Sequence, residues 1–136
     1  MSVVLDGSVA LAHALHDERG EPVAALFDAI AGGGAVVPGL WHIEVANGLE
    51  MAVRRKRLSR ADADGIVADF AHYAIEVDAE THLRAWAETR RFAQRHRLTL
   101  YDAAYLELAF RRALPLATLD ADLARAAKRE GVALAV

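Results

Sequence analysis

The sequence predicts a single α/β domain, a short central parallel β-sheet with helices on both faces. Three observations lead there. Short apolar runs (Val3-Val4-Leu5, Ala35-Val36-Val37, Ile75-Glu76-Val77, Leu116-Ala117-Thr118) alternate with longer segments of helical periodicity. The chain of 136 residues is the right length for one domain with a real core, and about half of it is apolar. Asp6 and Asp120 stand at or just past the ends of two of those runs. Ligands of parallel sheets bind in that position, outside the carboxyl ends of the strands.

The elements follow in order. Residues 2–6 read as a short buried strand, and Ser8 is the expected N-cap of a helix carrying Val9, Leu11, Ala12 and Leu15. Gly20-Glu21-Pro22 opens the next helix, with proline in its first turn, and Val23, Leu26, Phe27 and Ile30 form its apolar stripe. Gly32-Gly33-Gly34 ends it, and a strand at 35–37 runs into Pro38. Helices are expected at 40–57 and, capped by Ser59, at 59–72. A strand at 75–77 is followed by helices at 80–96 and 102–113. A strand at 116–118, a helix at 121–130 stopped by Gly131, and a last strand at 132–136 complete the chain. No internal repeat, linker or low-complexity tract is visible.

Composition narrows the function. Cysteine is absent, so disulfides and thiolate metal sites are excluded and the chain suits a reducing cytoplasm. Charges interrupt every apolar stretch too early for a transmembrane helix, and the N-terminus lacks the pattern of a signal peptide. The formal net charge of −3 argues on its face against a nucleic-acid binder. The average hides a grouping, however. Arg54, Arg55, Lys56, Arg57 and Arg60 form one basic run, and Arg84, Arg90, Arg91, Arg95 and Arg97 a second. Each group reads either as a set of phosphate contacts or as a solvated helix end.

Asp6, Glu44, Asp102 and Asp120 are the residues most suited to chemistry. Oxygen-only clusters bind hard divalent cations such as Mg²⁺ or Mn²⁺. Glu44 carries the most information. Leu40, Glu44, Asn47, Gly48 and Met51 share one face of a helix whose adjoining face is Trp41, Val45, Leu49 and Ala52. A carboxylate so placed needs a cation or a buried arginine as partner. Asp6, Asp102 and Asp120 each have an alternative reading as helix caps. Ser8, Asn47 and Thr118 are candidates for orienting the carboxylates or waters, and Asp122 for a fifth, outer acid. Other chemistries fit less well. A receiver-type acidic site needs a lysine near the last strands, and Lys56 and Lys128 are not so placed. No phosphate-binding G-x-x-x-x-G-K-[ST] loop occurs. His13 and His16, three apart, are too few for a zinc site. His42, His72, His82 and His96 share no spacing.

The four acids also lie in motifs of one family. Val4-Leu5-Asp6-Gly7-Ser8-Val9-Ala10, the segment from Pro38 through Glu44 and Asn47 to Leu49, the segment from Leu98 through Asp102 to Ala109, and Leu116-Ala117-Thr118-Leu119-Asp120-Ala121-Asp122-Leu123 resemble, in order, the motifs of PIN-domain ribonucleases. The likeness covers residues 1–136 as one PIN-like nuclease domain, and within that superfamily it is strongest to VapC, the toxin of type II VapBC toxin–antitoxin pairs. No acid of the quartet is replaced. Gly7 stands where alanine or threonine is common, a difference expected to be harmless. The resemblance implies a cytoplasmic endoribonuclease using Mg²⁺, or Mn²⁺, bound mainly by Asp6 and Asp102, with Glu44 and Asp120 completing the pocket. It further implies an RNA substrate, a cognate VapB-like antitoxin and a homodimer. A different class of function, a non-catalytic module whose acidic pocket docks a basic partner segment, uses the same residues.

Overall fold

The computed structural model describes residues 2–15 and 20–136. The observed order is β1 (Val3–Leu5), α1 (Gly7–Ala14), α2 (Glu21–Gly33), β2 (Ala35–Val37), α3 (Trp41–Arg54), α4 (Arg60–Phe70), β3 (Ile75–Val77), α5 (Thr81–Arg84), α6 (Glu88–His96), α7 (Leu100–Arg112), β4 (Leu116–Ala117) and α8 (Ala121–Arg129). The strands form one sheet in the order β3-β2-β1-β4, with every pairing parallel. All three residues of β1 and of β2 are buried. Successive side chains on a strand point to opposite faces, so both faces of the sheet are covered at β1, β2 and β4, while the edge strand β3 is largely exposed. The predicted α/β fold class is therefore the observed one.

The core is built on Val4, Leu5, Val36, Val37 and Leu116 of the sheet, with Tyr105, Leu106 and Leu108 of α7 against it. Helix α7 is buried from Ala103 to Ala109. His13 stacks on Phe27 of the same core, ring centroids 3.8 Å apart, in an aromatic cluster with Phe70 and Tyr73. The metal reading for the His13–His16 pair finds His13 in this cluster, while His16 lies outside the described residues.

Two close approaches set the geometry. Gly34 has φ +76°, and a Cβ there would meet the Ala74 carbonyl oxygen at 2.9 Å, so glycine lets β2 start beside the chain entering β3. A Cβ on Gly48 would collide with the methyl groups of Leu11, so its absence lets α3 cross close to α1. That crossing carries Glu44, one turn before Gly48, over the start of α1.

Several boundaries differ from expectation. Residues 132–136 do not form a strand; a single bridge joins Leu134 to Leu116, because β4 offers only two residues between Pro115 and the turn that leads to Asp120. The helix expected at 80–96 breaks at Ala85–Ala87, where Ala87 is non-helical at φ −119°, ψ −91°. The break carries no glycine or proline; it separates α5, which buries nothing, from α6, which turns Thr89 and Phe92 inward. Lys56, at φ +62°, ends the chain's helical course earlier than the predicted 57. Ser59 caps α4 as expected, accepting from the Asp62 amide at 3.0 Å. The seventh helix starts at Leu100 instead of 102, capped by Thr99, whose hydroxyl accepts from the Asp102 amide at 3.1 Å.

A buried ion cluster fastens β3 to α7. The Arg111 guanidinium donates to Asp78 Oδ2 at 2.7 Å and to Glu107 Oε2 at 2.7 Å, and the Thr81 hydroxyl donates to Asp78 at 2.8 Å. Asp78 and Glu107 are 7% and 2% exposed, so removing the cation leaves two carboxylates buried without a counter-charge. Arg111→Met is expected to cost about 3–5 kcal/mol, read as a lowered midpoint in urea denaturation.

Candidate active site

The four sequence-predicted acids gather at the carboxyl edge of the sheet. Chain order explains it. β1 lies between β2 and β4, and the chain crosses from β3 on one side to β4 on the other, so the sheet reverses its winding at β1. Such a switch point opens a crevice beyond the strand ends. Asp6 follows β1 directly, Asp120 caps α8 after β4, Glu44 lies in the first turn of α3 after β2, and Asp102 in the first turn of α7.

Asp6 is 3% exposed and occupies the N-cap position of α1, yet its side chain makes no capping bond there. Ser8, expected as the cap, lies inside the helix, and its hydroxyl donates to Asp6 Oδ2 at 2.7 Å. The Thr118 hydroxyl donates to the same oxygen, also at 2.7 Å. Each hydroxyl is in turn fixed from behind. The Leu119 amide donates to Ser8 Oγ at 3.1 Å and the Asp120 amide to Thr118 Oγ1 at 3.0 Å. With backbone N–H groups supplying those oxygens, both hydroxyl protons are directed at Asp6. The β4–α8 turn thereby orients the central carboxylate.

Glu44 is half-buried, and its Oε1 accepts from the Tyr105 hydroxyl at 2.8 Å. Gly7 makes the room: a Cβ there would collide with Glu44 Oε1. Gly7 therefore has a packing role that the expectation of a harmless difference overlooks. Tyr105 lies outside the set of acids and hydroxyls that the sequence predicts for the site, although the sequence carries a signal for it. It lies three residues after Asp102 on the same helical face, and a phenol inside an apolar helix needs a partner for its hydroxyl. Asp120 uses Oδ1 to cap α8, accepting from the Leu123 amide at 2.9 Å. Asp102 is spared that task because Thr99 caps its helix.

The supporting candidates divide. Ser8 and Thr118 hold Asp6 directly. Asp122 is exposed and pairs with Arg125 at 2.8 Å, while its charge is felt by Asp102, an outer position. Asn47 is exposed and makes no side-chain hydrogen bond with any of the four acids.

The electrostatics set these acids apart from the others. The Asp6 carboxyl is raised from its ordinary value by burial, an effect opposed by the Thr118 and Ser8 hydroxyls and reinforced by the charge of Asp120. Burial raises Glu44, opposed by the Tyr105 hydroxyl and reinforced by Asp6 and Asp102. Burial also raises Asp102, with Asp6 and Asp120 adding to it. The acids therefore sense one another across the crevice, and among the described residues none pairs with a lysine or arginine. Asp78, past the end of β3, is the contrast. Burial would raise it too, but the bonds and charge of Arg111 and the Thr81 hydroxyl bring it below the ordinary carboxylate range.

Self-repulsion without a counter-cation, with all-oxygen donors, is the chemistry of a hard-cation site. Among the described residues no three of these side chains close into a set that holds an ion unaided. A magnesium site asks less, since Mg²⁺ keeps several waters and takes one or two carboxylates. The donor set fits such an ion.

An α/β domain with a carboxylate-lined crevice at its switch point is thus defined by fold and site together. The comparison of families narrows it: the PIN domain model matches residues 3–129, and the chain belongs to the PIN domain family. Among solved structures, that of PAE2754 from Pyrobaculum aerophilum is similar at TM-score 0.69 and 23% identity, covering 93% of this chain and 84% of that one. FitAcB from Neisseria gonorrhoeae is similar at TM-score 0.65 and 19% identity, covering 98% of this chain and 96% of that one. No curated protein matches the chain.

The raised acids bear on stability. A carboxyl raised by folding binds its proton more tightly in the folded state than in the unfolded chain. Its contribution to stability is therefore present below the unfolded value of about 3.9 and is lost as pH rises through the folded one. Asp102→Asn is expected to raise the thermal midpoint of the metal-free protein at pH 7 by a few degrees. That gain should shrink to nothing below about pH 4, as followed by calorimetry across pH.

Proposed function

We propose that the protein is a divalent-cation-dependent endoribonuclease, the VapC-like toxin of a type II toxin–antitoxin pair. The observation that carries this reading is the set of mutually repelling carboxylates, free of basic partners among the described residues, in the strand-end crevice of a PIN domain. PIN domains are generally nucleases, and those nucleases typically use divalent metals.

Asp6 and Asp102 would hold the principal Mg²⁺ or Mn²⁺, with Glu44 and Asp120 completing the pocket. The bound ion supplies water activation and neutralises charge on the phosphoryl oxygens. The protein's own groups do the rest. Ser8 and Thr118 favour the charged form of Asp6 against its burial and keep the carboxylate aimed. Tyr105 holds one Glu44 oxygen at 2.8 Å and leaves the other for substrate or solvent. One of the outer carboxylates accepts the proton of the attacking water as its oxygen bonds to phosphorus, the bond to the leaving oxygen breaks in line, and that oxygen takes a proton from solvent. Because water attacks, the 2′-hydroxyl of the cut nucleotide takes no part.

The same crevice accounts for an antitoxin. A basic side chain from a VapB-like partner would relieve the self-repulsion of the four acids. A homodimer belongs to this reading as well, and the outward Ile43 of α3, 75% exposed, and Val67 of α4, 56% exposed, offer apolar area for such pairing. A reducing cytoplasm is the compartment this reading implies. No helix among the described residues is long and apolar enough to cross a membrane.

RNA cleavage by antitoxin-free protein is expected with Mg²⁺ or Mn²⁺ and not with EDTA. Asp6→Asn and Asp102→Asn should each lower the rate by at least about 100-fold. Metal-dependent cutting that survives both substitutions defeats the site assignment, and absence of any cutting favours the non-catalytic docking module. Tyr105→Phe deletes one hydroxyl and should weaken Mn²⁺ binding roughly 10-fold or more. Electron paramagnetic resonance titration reads that loss, and Gly7→Ala should share it by pushing the Glu44 carboxylate off the phenol.

A further inference from the structure

The first turn of α7 is the part of the site that packing holds least. Leu100 and Tyr101 are 41% and 65% exposed, and the buried run of the helix begins only at Ala103. Yet this turn carries Asp102, whose carboxyl feels the charges of Asp6 and Asp120 across the crevice. Thr99 fixes the turn. Its backbone is extended, at φ −63° and ψ 157°, and its hydroxyl oxygen accepts from the Asp102 amide at 3.1 Å. Its carbonyl accepts from the Ala103 amide at 3.0 Å.

The same stretch has a second local solution. Aspartate is intrinsically a better N-cap than threonine. A helix that begins at Ala103, with Asp102 as its cap, gives up a turn that buries little. It also commits one carboxylate oxygen to a backbone amide at the start of the helix. Asp120 shows that outcome in this chain, because it caps α8 and its Oδ1 accepts from the Leu123 amide at 2.9 Å. In α7 the threonine takes the cap, and no backbone amide is bonded to the Asp102 carboxylate among the described residues. A second effect runs the same way. The Thr99 hydroxyl opposes the rise that burial imposes on the Asp102 carboxyl, as the Thr118 and Ser8 hydroxyls do for Asp6.

We propose that Thr99 is a positioning residue of the cation site: by capping α7 ahead of Asp102, it selects the helix start that leaves both Asp102 oxygens to the crevice. The use of that site rests on the nuclease reading. Thr99 acts on the reaction only through Asp102, in a position where a cap that merely stabilised the helix could equally have been the aspartate itself.

Thr99→Val keeps the branched shape and loses the cap, and Thr99→Ser keeps the cap. In the metal-free full chain, hydrogen exchange at the Asp102 and Ala103 amides should be faster in Thr99→Val than in the parent, and slow again in Thr99→Ser. Mn²⁺ affinity, read by electron paramagnetic resonance, should fall roughly 10- to 100-fold in Thr99→Val and return in Thr99→Ser. Turnover of RNA in Mn²⁺ should follow the same order. Asp102→Asn separates positioning from general stabilisation. In that background Thr99→Val should leave Mn²⁺ affinity where Asp102→Asn has already set it, because the two residues act as one unit.

Parent-like Mn²⁺ affinity in Thr99→Val overturns the proposal, and so does unchanged protection of the Asp102 amide. An equal loss of Mn²⁺ affinity in the parent and Asp102→Asn backgrounds overturns it as well, since Thr99 then supports the fold at large. If the parent cuts RNA and Thr99→Val binds Mn²⁺ as the parent does, this inference alone fails. If the Thr99 pattern holds in Mn²⁺ binding but the parent cuts no RNA, the nuclease reading fails and the positioning role stands. A parent that binds no Mn²⁺ removes both.

Discussion

The adjacency of β1 and β4 is the constraint on which the candidate site depends. Parallel pairing of Leu5 with Ala117 brings Thr118 beside Asp6, although 112 positions separate them in sequence. Two amides of the β4–α8 turn then meet two hydroxyls, Thr118 from the turn and Ser8 from α1, and both hydroxyls donate to one carboxylate oxygen. A buried carboxylate is costly without donors. Here one donor, Thr118, comes from the turn that also supplies Asp120, and the Leu119 amide of that turn fixes the other, Ser8 of α1, so the feature that makes Asp6 tolerable also brings it a like charge. The two glycines at 7 and 48 extend the arrangement by letting α3 descend far enough for Glu44 to lean over the start of α1.

The buried and half-buried acids of this protein follow two different rules. Asp78 and Glu107 are satisfied within the chain: Arg111 binds both, and with Thr81 they clamp β3 to α7. Asp6, Glu44 and Asp102 receive hydroxyls or a phenol but no cation among the described residues, and burial holds their carboxyls raised. Strand-end position alone does not separate the groups, since Asp78 follows β3 much as Asp6 follows β1. Charge compensation does. One group has its counter-charge built into the fold, and the other is left to acquire one from outside.

Much of this was legible in the sequence because it is local. Apolar runs of three residues between helical periodicities gave the strands, and Ser59 gave a cap. The spacing of Trp41, Val45, Leu49 and Ala52 gave the buried face of α3, leaving Glu44 on the face beside it. Less was legible where two local solutions compete. Ser8 and Asp6 are both good caps, and only the pull of Asp6 toward Thr118 decides that neither side chain caps α1. Thr99 and Asp102 compete in the same way, and the threonine takes the role. The break at Ala85–Ala87 has no local signal at all, and the strand expected at 132–136 is limited by the shortness of its partner β4.

By itself, then, the sequence determined the class of fold, the identities of the four acids and the family to which their motifs belong, because periodicity and motif order are properties of neighbouring residues. Tertiary structure decided what those acids touch. Tyr105 reaches Glu44 across 61 positions, Arg111 reaches Asp78 across 33, and His96 reaches Glu130 across 34. Which carboxylates keep a counter-charge and which lack one depends on such pairings between distant residues. Linear spacing cannot express them, because they exist only once the sheet has set its strand order.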